Sequence, residues 1–374
     1  MVRVAVDERH VERARLAELA GAGEAAEART DDDNVLLGCG GAELHEHEAN
    51  LGVPSVIVRP FEGRVALVTG AGSGLGREYA LALAAHGARV VVNDLGISVT
   101  GDEPSGDSAG SVAREIASIG GEAVASRYSV AEWHGAERIV ATALERFGRL
   151  DIVINNAGNN RPSSLVDLSE TDVDVQIDTH LKGTLAVSHF VARHWSRIAP
   201  QSGRAIVNTT SAVGLHPAAG GGVYGAAKAG IIALTVSHAQ ELARYGAKVN
   251  AVAPCARTRM VKASPNVLAL MPEATGFDRH SPQHVAPLVA YLASDACRFT
   301  GRVFAVEGPD VAIYHPHGVE EHWSTNGAWS LETLTSTFAT YPQRSEVDAF
   351  FPGGVVTYAE PPGRTLRALF GDVQ

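Results

Sequence analysis

Cysteine is scarce: the chain has three in 374 residues, Cys39, Cys255 and Cys297. The number is odd, the spacing wide, and no CxxC occurs, which excludes a disulfide framework and implies a reducing compartment. Long hydrophobic runs are absent as well. No stretch of about 18 apolar residues exists, so no membrane span is expected. The opening text, MVRVAVDERHVERAR, is charged throughout and lacks the apolar segment of a secretory signal. Cytoplasm is the expected location. Positive charge is in deficit, with 31 Lys and Arg against 42 Asp and Glu and a formal net charge of -11. A surface that negative repels phosphate backbones and anionic lipid, so neither nucleic acid nor a membrane is an expected partner. An anionic cofactor must then be met by a local positive feature inside its site.

What remains is an ordinary soluble composition, 45% apolar and 20% charged. The length suits one α/β domain with appendages. Three textures divide the chain into an N-terminal extension (1–62), a central domain (63–313) and a C-terminal extension (314–374). In the first, a short helix over Val11–Ala28 is expected. The last carries His315, His317, His322, Trp323 and Trp329 and ends rich in Pro and Gly.

The central segment alternates apolar strand text with amphipathic helix text. RVALVT, ARVVVND, GEAVASR, LDIVINN, GRAIVNTT, AKVNAVAP and RVFAVEG read as strands. A helix after each apolar strand implies a parallel sheet covered on both faces, and right-handed crossovers make it a doubly wound, Rossmann-like α/β fold.

The text VALVTGAGSGLGREYA is strand, glycine turn, helix, with Gly70, Gly74 and Gly76 spaced G-x3-G-x-G. This differs from G-x-G-x-x-G but uses the same physics: glycine permits a tight turn and close approach of backbone to pyrophosphate, and a helix N-terminus offers free N–H groups and a positive dipole end. The next strand ends in Asp94, about 20 residues on. A carboxylate there can accept hydrogen bonds from the adenine ribose hydroxyls and repels a 2′-phosphate, which favours NAD over NADP. Ser73, before the second glycine, brings no positive charge for that phosphate. The competing view is that Asp94 caps the loop behind it.

Tyr224 and Lys228 stand four apart on helical text and so share one face. A phenol has a pKa near ~10; a cation within a few ångströms can lower it by roughly 1–3 units and bring it into acid–base use. Ser211 follows the strand AIVNTT, where its hydroxyl can hold a substrate oxygen beside the phenol.

The order of glycine turn, strand-end Asp, NNAG at 155–158, strand-end Ser, Tyr and Lys resembles the short-chain dehydrogenase/reductase family. The resemblance spans most of the central segment. It implies that Tyr224 exchanges the proton of the substrate oxygen, that Lys228 lowers the Tyr pKa and binds the nicotinamide ribose, and that Ser211 orients the carbonyl. It further implies a cofactor site of Gly70, Ser73, Gly74, Leu75, Gly76, Asp94, Ser129, Val130, Asn156, Ala157, Gly158 and Pro254 together with Tyr224 and Lys228. Three positions depart from the usual pattern. His180 stands in DTHLKG where many members have Asn; either residue can hold a relay water, and a purely structural His is the alternative. Pro254–Cys255 replaces Pro-Gly, and Cys255 is read as a small residue in a glycine's place. Ser129–Val130 replaces Asp-Val, where Ser can still accept from adenine.

Asp94 with its Gly/Ser/Asp-rich loop, His180, and HVAPLVAYLAS are similar to the (3R)-hydroxyacyl-CoA dehydrogenase domain of multifunctional β-oxidation enzymes and bacterial relatives. The implied function is an NAD-dependent oxidoreductase interconverting a secondary alcohol and a ketone on a hydroxyacyl thioester-like or cyclic substrate. The alternatives are a biosynthetic ketoreductase for a polyketide or similar ring, and a non-catalytic cofactor sensor. No metal is expected, because the cluster His45–Glu48 and the tail histidines lack an ordered ligand set. Small residues beside the catalytic pair (Ala226, Ala227, Gly230) admit close helix approach, and a homodimer or homotetramer is expected.

Overall fold

All seven expected apolar runs become strands, and an eighth follows them. The computed structural model describes residues 59–100, 106–217 and 221–314. The expected helix at 11–28, Cys39, the His45–Glu48 cluster and the tail histidines lie outside them.

The strands are β1 (Val65–Thr69), β2 (Arg89–Asn93), β3 (Ala123–Ser126), β4 (Ile152–Asn155), β5 (Arg204–Thr209), β6 (Ala247–Pro254), β7 (Val303–Glu307) and β8 (Asp310–Tyr314). They form one sheet in the order β3-β2-β1-β4-β5-β6-β7-β8. The first seven pair in parallel, and β8 returns antiparallel beside β7. Between β1 and β4 the order of strand addition reverses, so crossovers leave to opposite sides and a crevice opens at the strands' carboxyl ends.

The helices are α1 (Gly74–Ala85), α2 (Ser108–Ser118), α3 (Trp133–Phe147), α4 (Glu170–Ile177), α5 (Gly183–Trp195), α6 (Ala212–Leu215), α7 (Gly222–Leu242), α8 (Arg259–Lys262), α9 (Pro265–Ala269) and α10 (Ala286–Ala293). One core packs Tyr79, Leu83, Ile116, Val289 and Leu292 under one face of the sheet. A second packs Ile139, Val187, Val191, Trp195 and Leu242 against the other. Such double coverage explains the near-continuous apolar strands: β1, β4 and β7 are buried at every position. β8 alternates half-buried and exposed residues instead, as an edge strand does. Phe61, just ahead of the expected domain start, lies in the first core.

Polar groups also bind the layers. The Asn155 amide donates to Asn208 Oδ1 at 2.9 Å and to Ser188 Oγ at 3.1 Å, and Asn208 donates to Thr235 Oγ1 at 2.9 Å. This chain links β4, β5, α5 and α7 through fully buried atoms, where an unpaired amide would cost about 1–3 kcal/mol.

Candidate active site

The glycine turn is shaped by packing as much as by conformation. A Cβ at Gly70 would stand 2.7 Å from Ala157 Cα, and one at Gly76 would stand 2.2 Å from the Gly70 carbonyl oxygen. Gly70 and Gly74 both have positive φ, +63° and +54°, but Gly74 has room: the nearest atom to a Cβ there is 3.7 Å away on Thr258. The first and third glycines close the turn, and the second keeps it open to the cleft. α1 begins at Gly74 with Ser73 as its N-cap, which makes no side-chain cap bond, and no acidic residue lies in its first turn. The N–H groups at the helix start and the positive dipole end therefore face the cleft without a competing carboxylate.

Asn156 fixes the turn from below. Its amide donates to the carbonyls of Thr69 and Gly70 at 3.0 and 3.2 Å. Thr69 Oγ1 accepts the N–H groups of Asn156 and Ala157, both at 3.0 Å. Thr69 had no assigned role from sequence, although it opens the glycine motif. Asp94 ties the same region together: its carboxylate accepts from Gly72 N–H at 2.9 Å, Gly96 N–H at 2.8 Å and Ser108 Oγ at 2.7 Å. Loop capping is thus one observed role of Asp94.

The second group comes from β5, α7 and the α4–α5 junction. α6 starts with Ser211 as N-cap, its Oγ accepting from Val213 N–H at 3.3 Å, and Ser211 lines the same cleft as the Tyr224 phenol. Lys228 donates from Nζ to the Thr209 carbonyl at 2.9 Å, and its own carbonyl accepts from Thr210 Oγ1 at 2.8 Å. The Nζ lies 5.5 Å from the centroid of the Tyr224 ring. The expected lowering of the Tyr224 pKa is corrected by this geometry. Burial pushes the phenol up, the nearby Ser211 hydroxyl only partly offsets it, and Lys228 itself is driven down to about 7 by burial.

His180 sits in a one-turn π-helix, Asp178–Lys182, between α4 and α5. Such an extra residue in a helix commonly re-aims a side chain at a working site. Its ring meets Tyr224 edge-on with centroids 5.2 Å apart. Nε2 lies 2.8 Å from the Asn159 carbonyl and 3.3 Å from the Asn159 N–H; the shorter contact favours the proton on Nε2, which makes Nδ1, buried and with no partner, the acceptor. Burial first, then the Lys228 charge, hold the imidazole well below its ordinary pKa, against the opposing Asn159 bond. Gly158 makes room for it: a Cβ there would stand 2.4 Å from His180 Cε1. The NNAG glycine therefore serves the imidazole directly.

All the expected catalytic and cofactor-binding residues line one cleft of about 350 Å³ at the carboxyl ends of the strands. Its far wall holds residues that sequence reasoning missed: Ile97, Val99, Met260, Val261 and Met271, with Arg259 among them. They belong to two separate segments, the stretch after β2 and the short helix α8 with the residues that follow it, and carry no periodic signal that could have marked them.

A family model described as short chain dehydrogenase matches residues 64–266. The chain belongs to the short-chain dehydrogenase family and is an oxidoreductase of the kind that works with a nicotinamide cofactor. It is 38% identical to the hydroxyacyl-CoA dehydrogenase ChsB1 of Mycobacterium tuberculosis, over 79% of this chain and 93% of that one. It is 42% identical to the peroxisomal multifunctional enzyme type 2 of Drosophila melanogaster, over 64% of this chain but only 38% of that longer enzyme. Among solved structures, a short chain dehydrogenase from Mycobacterium avium superposes with a TM-score of 0.66 at 40% identity, covering 80% of this chain and 99% of that one. One from Burkholderia cenocepacia in complex with NADP gives 0.58 at 30% identity, covering 67% and 98%. A 7α-hydroxysteroid dehydrogenase complexed with NADH and 7-oxo glycochenodeoxycholic acid gives 0.60 at 27% identity, covering 68% and 96%. No helix among the described residues is long and apolar enough to cross a membrane.

Proposed function

We propose that this protein is an NAD-dependent dehydrogenase that interconverts a 3-hydroxyacyl thioester and its ketone. The observation that carries the reading is the convergence of Ser211, Tyr224 and Lys228 on the cleft that the glycine turn also lines. The pyrophosphate fits the cradle: Gly74 leaves the backbone open, and the uncapped start of α1 supplies N–H donors. Asp94 has capacity for a further hydrogen bond from a ribose hydroxyl. Lys228 Nζ has donors beyond the one given to Thr209 and serves the second ribose. When bound, the nicotinamide supplies or takes up the hydride.

The chain's own residues handle the proton and the positioning. Tyr224 Oη gives its proton to the carbonyl oxygen in reduction and takes it back in oxidation. Ser211 Oγ donates to the same oxygen. Lys228, when protonated, favours the phenolate and opposes the effect of burial. His180 Nδ1 holds a water that passes the proton onward. The apolar far wall of Ile97, Val99, Val261 and Met271 takes the acyl chain, consistent with the 93% coverage of the ChsB1 relative, itself a hydroxyacyl-CoA dehydrogenase. A second reading, a fused-ring hydroxy compound, is favoured by the match to the bile-acid complex. The protein is further read as a cytoplasmic homodimer or homotetramer, which light scattering on the purified chain tests for assembly.

The experiment is turnover with NAD on 3-hydroxyacyl-CoA thioesters and on cyclic secondary alcohols, for wild type and Tyr224→Phe. Thioester turnover that falls by roughly 10²–10⁴-fold in the variant is expected. Full activity in the variant defeats the mechanism, and turnover of ring substrates alone replaces the substrate assignment.

A further inference from the structure

We propose that Cys255, His280 and Glu307 form a zinc-binding site behind the cleft wall that carries Pro254. One candidate ligand atom from each lies within 4.8 Å of the other two. His280 Nε2 and Glu307 Oε1 are 3.2 Å apart. Two ligands at zinc bond lengths of about 2.0–2.2 Å and a tetrahedral angle stand about 3.3 Å apart, so this pair already has the required separation. The thiol lies within 4.8 Å of both.

The backbone fixes all three positions independently. Cys255 follows β6, and its N–H donates to the Val306 carbonyl on β7 at 2.9 Å. Glu307 is the next residue on β7, so the thiol and the carboxylate issue side by side from neighbouring strand ends. His280 is held through its carbonyl, which accepts from Arg257 N–H at 2.7 Å, and through its N–H, which reaches Asp278 Oδ1 at 3.3 Å. A site whose ligands are anchored beforehand loses little conformational freedom on binding.

The donor set selects the ion. Thiolate with imidazole and carboxylate suits zinc, whereas magnesium and calcium take oxygen alone. Thiolate and carboxylate together neutralise a divalent ion, and three protein ligands leave a fourth position for water or another donor. Arg279 is the competing cation, with Nε 3.2 Å from Glu307 Oε1, but it is also paired with Asp310 and keeps that partner when the metal takes the carboxylate. Of the three ligands only Cys255 lines the cleft, so the ion would sit at the edge of the cleft, with His280 and Glu307 behind its lining. The ligands are twenty-five and twenty-seven positions apart, so local spacing could not reveal them. The site departs from the sequence expectation of no metal, and it does not depend on the dehydrogenase assignment.

The test uses the untagged full chain, stripped with chelator and titrated with cobalt(II) as a spectroscopic stand-in, then with zinc. A thiolate-to-cobalt charge-transfer band that saturates at one ion per chain and is displaced by zinc is expected. Cys255→Ser abolishes the band, Glu307→Gln weakens cobalt affinity at least tenfold, and Cys39→Ser leaves both unchanged, with circular dichroism confirming that each variant folds. No band in the wild type overturns the proposal whatever the variants do. A band that persists in Cys255→Ser, or vanishes in Cys39→Ser, overturns it equally.

Discussion

The near and far walls of the cleft are built by different means. The near wall is backbone: three glycines, a helix start, and polar side chains that bond to main-chain groups, as Asn156 and Asp94 do. The far wall is side chain: Ile97 and Val99 from the loop after β2, Met260 and Val261 from α8, and Met271 from beyond α9. Its helices are short, four residues in α8 and five in α9. Main-chain groups are the same in every residue, so a wall made of them recognises one invariant partner and constrains spacing. A wall made of side chains can be exchanged without disturbing the fold. On the proposed function, the near wall therefore recognises the cofactor and the far wall the substrate.

Gly76→Ala breaks the near wall most severely. Its Cβ would meet the Gly70 carbonyl oxygen at 2.2 Å and the Asn156 amide nitrogen at 2.6 Å, neither of which can retreat. Loss of nucleotide binding and a lowered melting temperature are expected, measured by NADH fluorescence and thermal unfolding. Gly74→Ala serves as the contrast: it meets only the strain of a positive φ, about 1–2 kcal/mol, and folds with weakened cofactor binding.

Lys228→Met tests the buried cation between the walls. Folded Lys228 titrates at about 7 against an ordinary 10.5. Between these values the unfolded chain holds a proton that the folded chain lacks, so stability rises with pH across the window. Below pH 7 both states are protonated and the full destabilisation stands. Relative to Lys228→Met, the wild type should gain stability from pH 7 to pH 9 by up to about 1.4 kcal/mol per unit. Urea unfolding at the two pH values measures this, and parallel behaviour of the two proteins would show that Lys228 keeps an ordinary pKa.

Arg257→Ala loosens the far wall alone. The guanidinium donates to the carbonyls of Met271 and Pro272 at 2.8 and 2.7 Å and forms a two-pronged pair with Asp278 at 2.8 and 2.9 Å. It holds the loop bearing Met271 to the domain. Its removal should raise KM for the acyl substrate roughly tenfold or more, while NADH affinity stays unchanged. An equal loss in both would show that the walls are not independent.

The same division governs what the sequence made legible. β1 to β7 announced themselves because a doubly covered parallel strand is apolar at nearly every position, and Tyr224 and Lys228 because four residues make one helical turn. β8 escaped notice: two of its five residues are exposed and none is fully buried, and its pairing depends on the turn at Gly308 after β7. The π turn at His180 adds one residue to a helix that reads as continuous. The Tyr224 pKa went wrong because a cation's effect can be inferred from spacing, whereas burial depends on the whole fold. Arg257 and the far wall rest on contacts among loops distant in sequence.

Asp94→Ala sharpens the near wall's remaining question, which is the choice of cofactor. The carboxylate has about four lone-pair sites, and Gly72, Gly96 and Ser108 occupy three. One charge-assisted bond to a ribose hydroxyl remains available, worth about 1.5–3 kcal/mol, while the negative charge opposes a 2′-phosphate. Calorimetry should therefore find NADH bound about ten- to a hundredfold more tightly than NADPH by wild type. In Asp94→Ala that ratio should collapse toward one, with a modest loss of stability from the three freed donors. The loss of stability alone, with the NADH preference intact, would assign Asp94 to the loop and leave cofactor choice to other residues. NADPH binding at least as tightly to the wild type would reverse the cofactor assignment and favour a biosynthetic reductase.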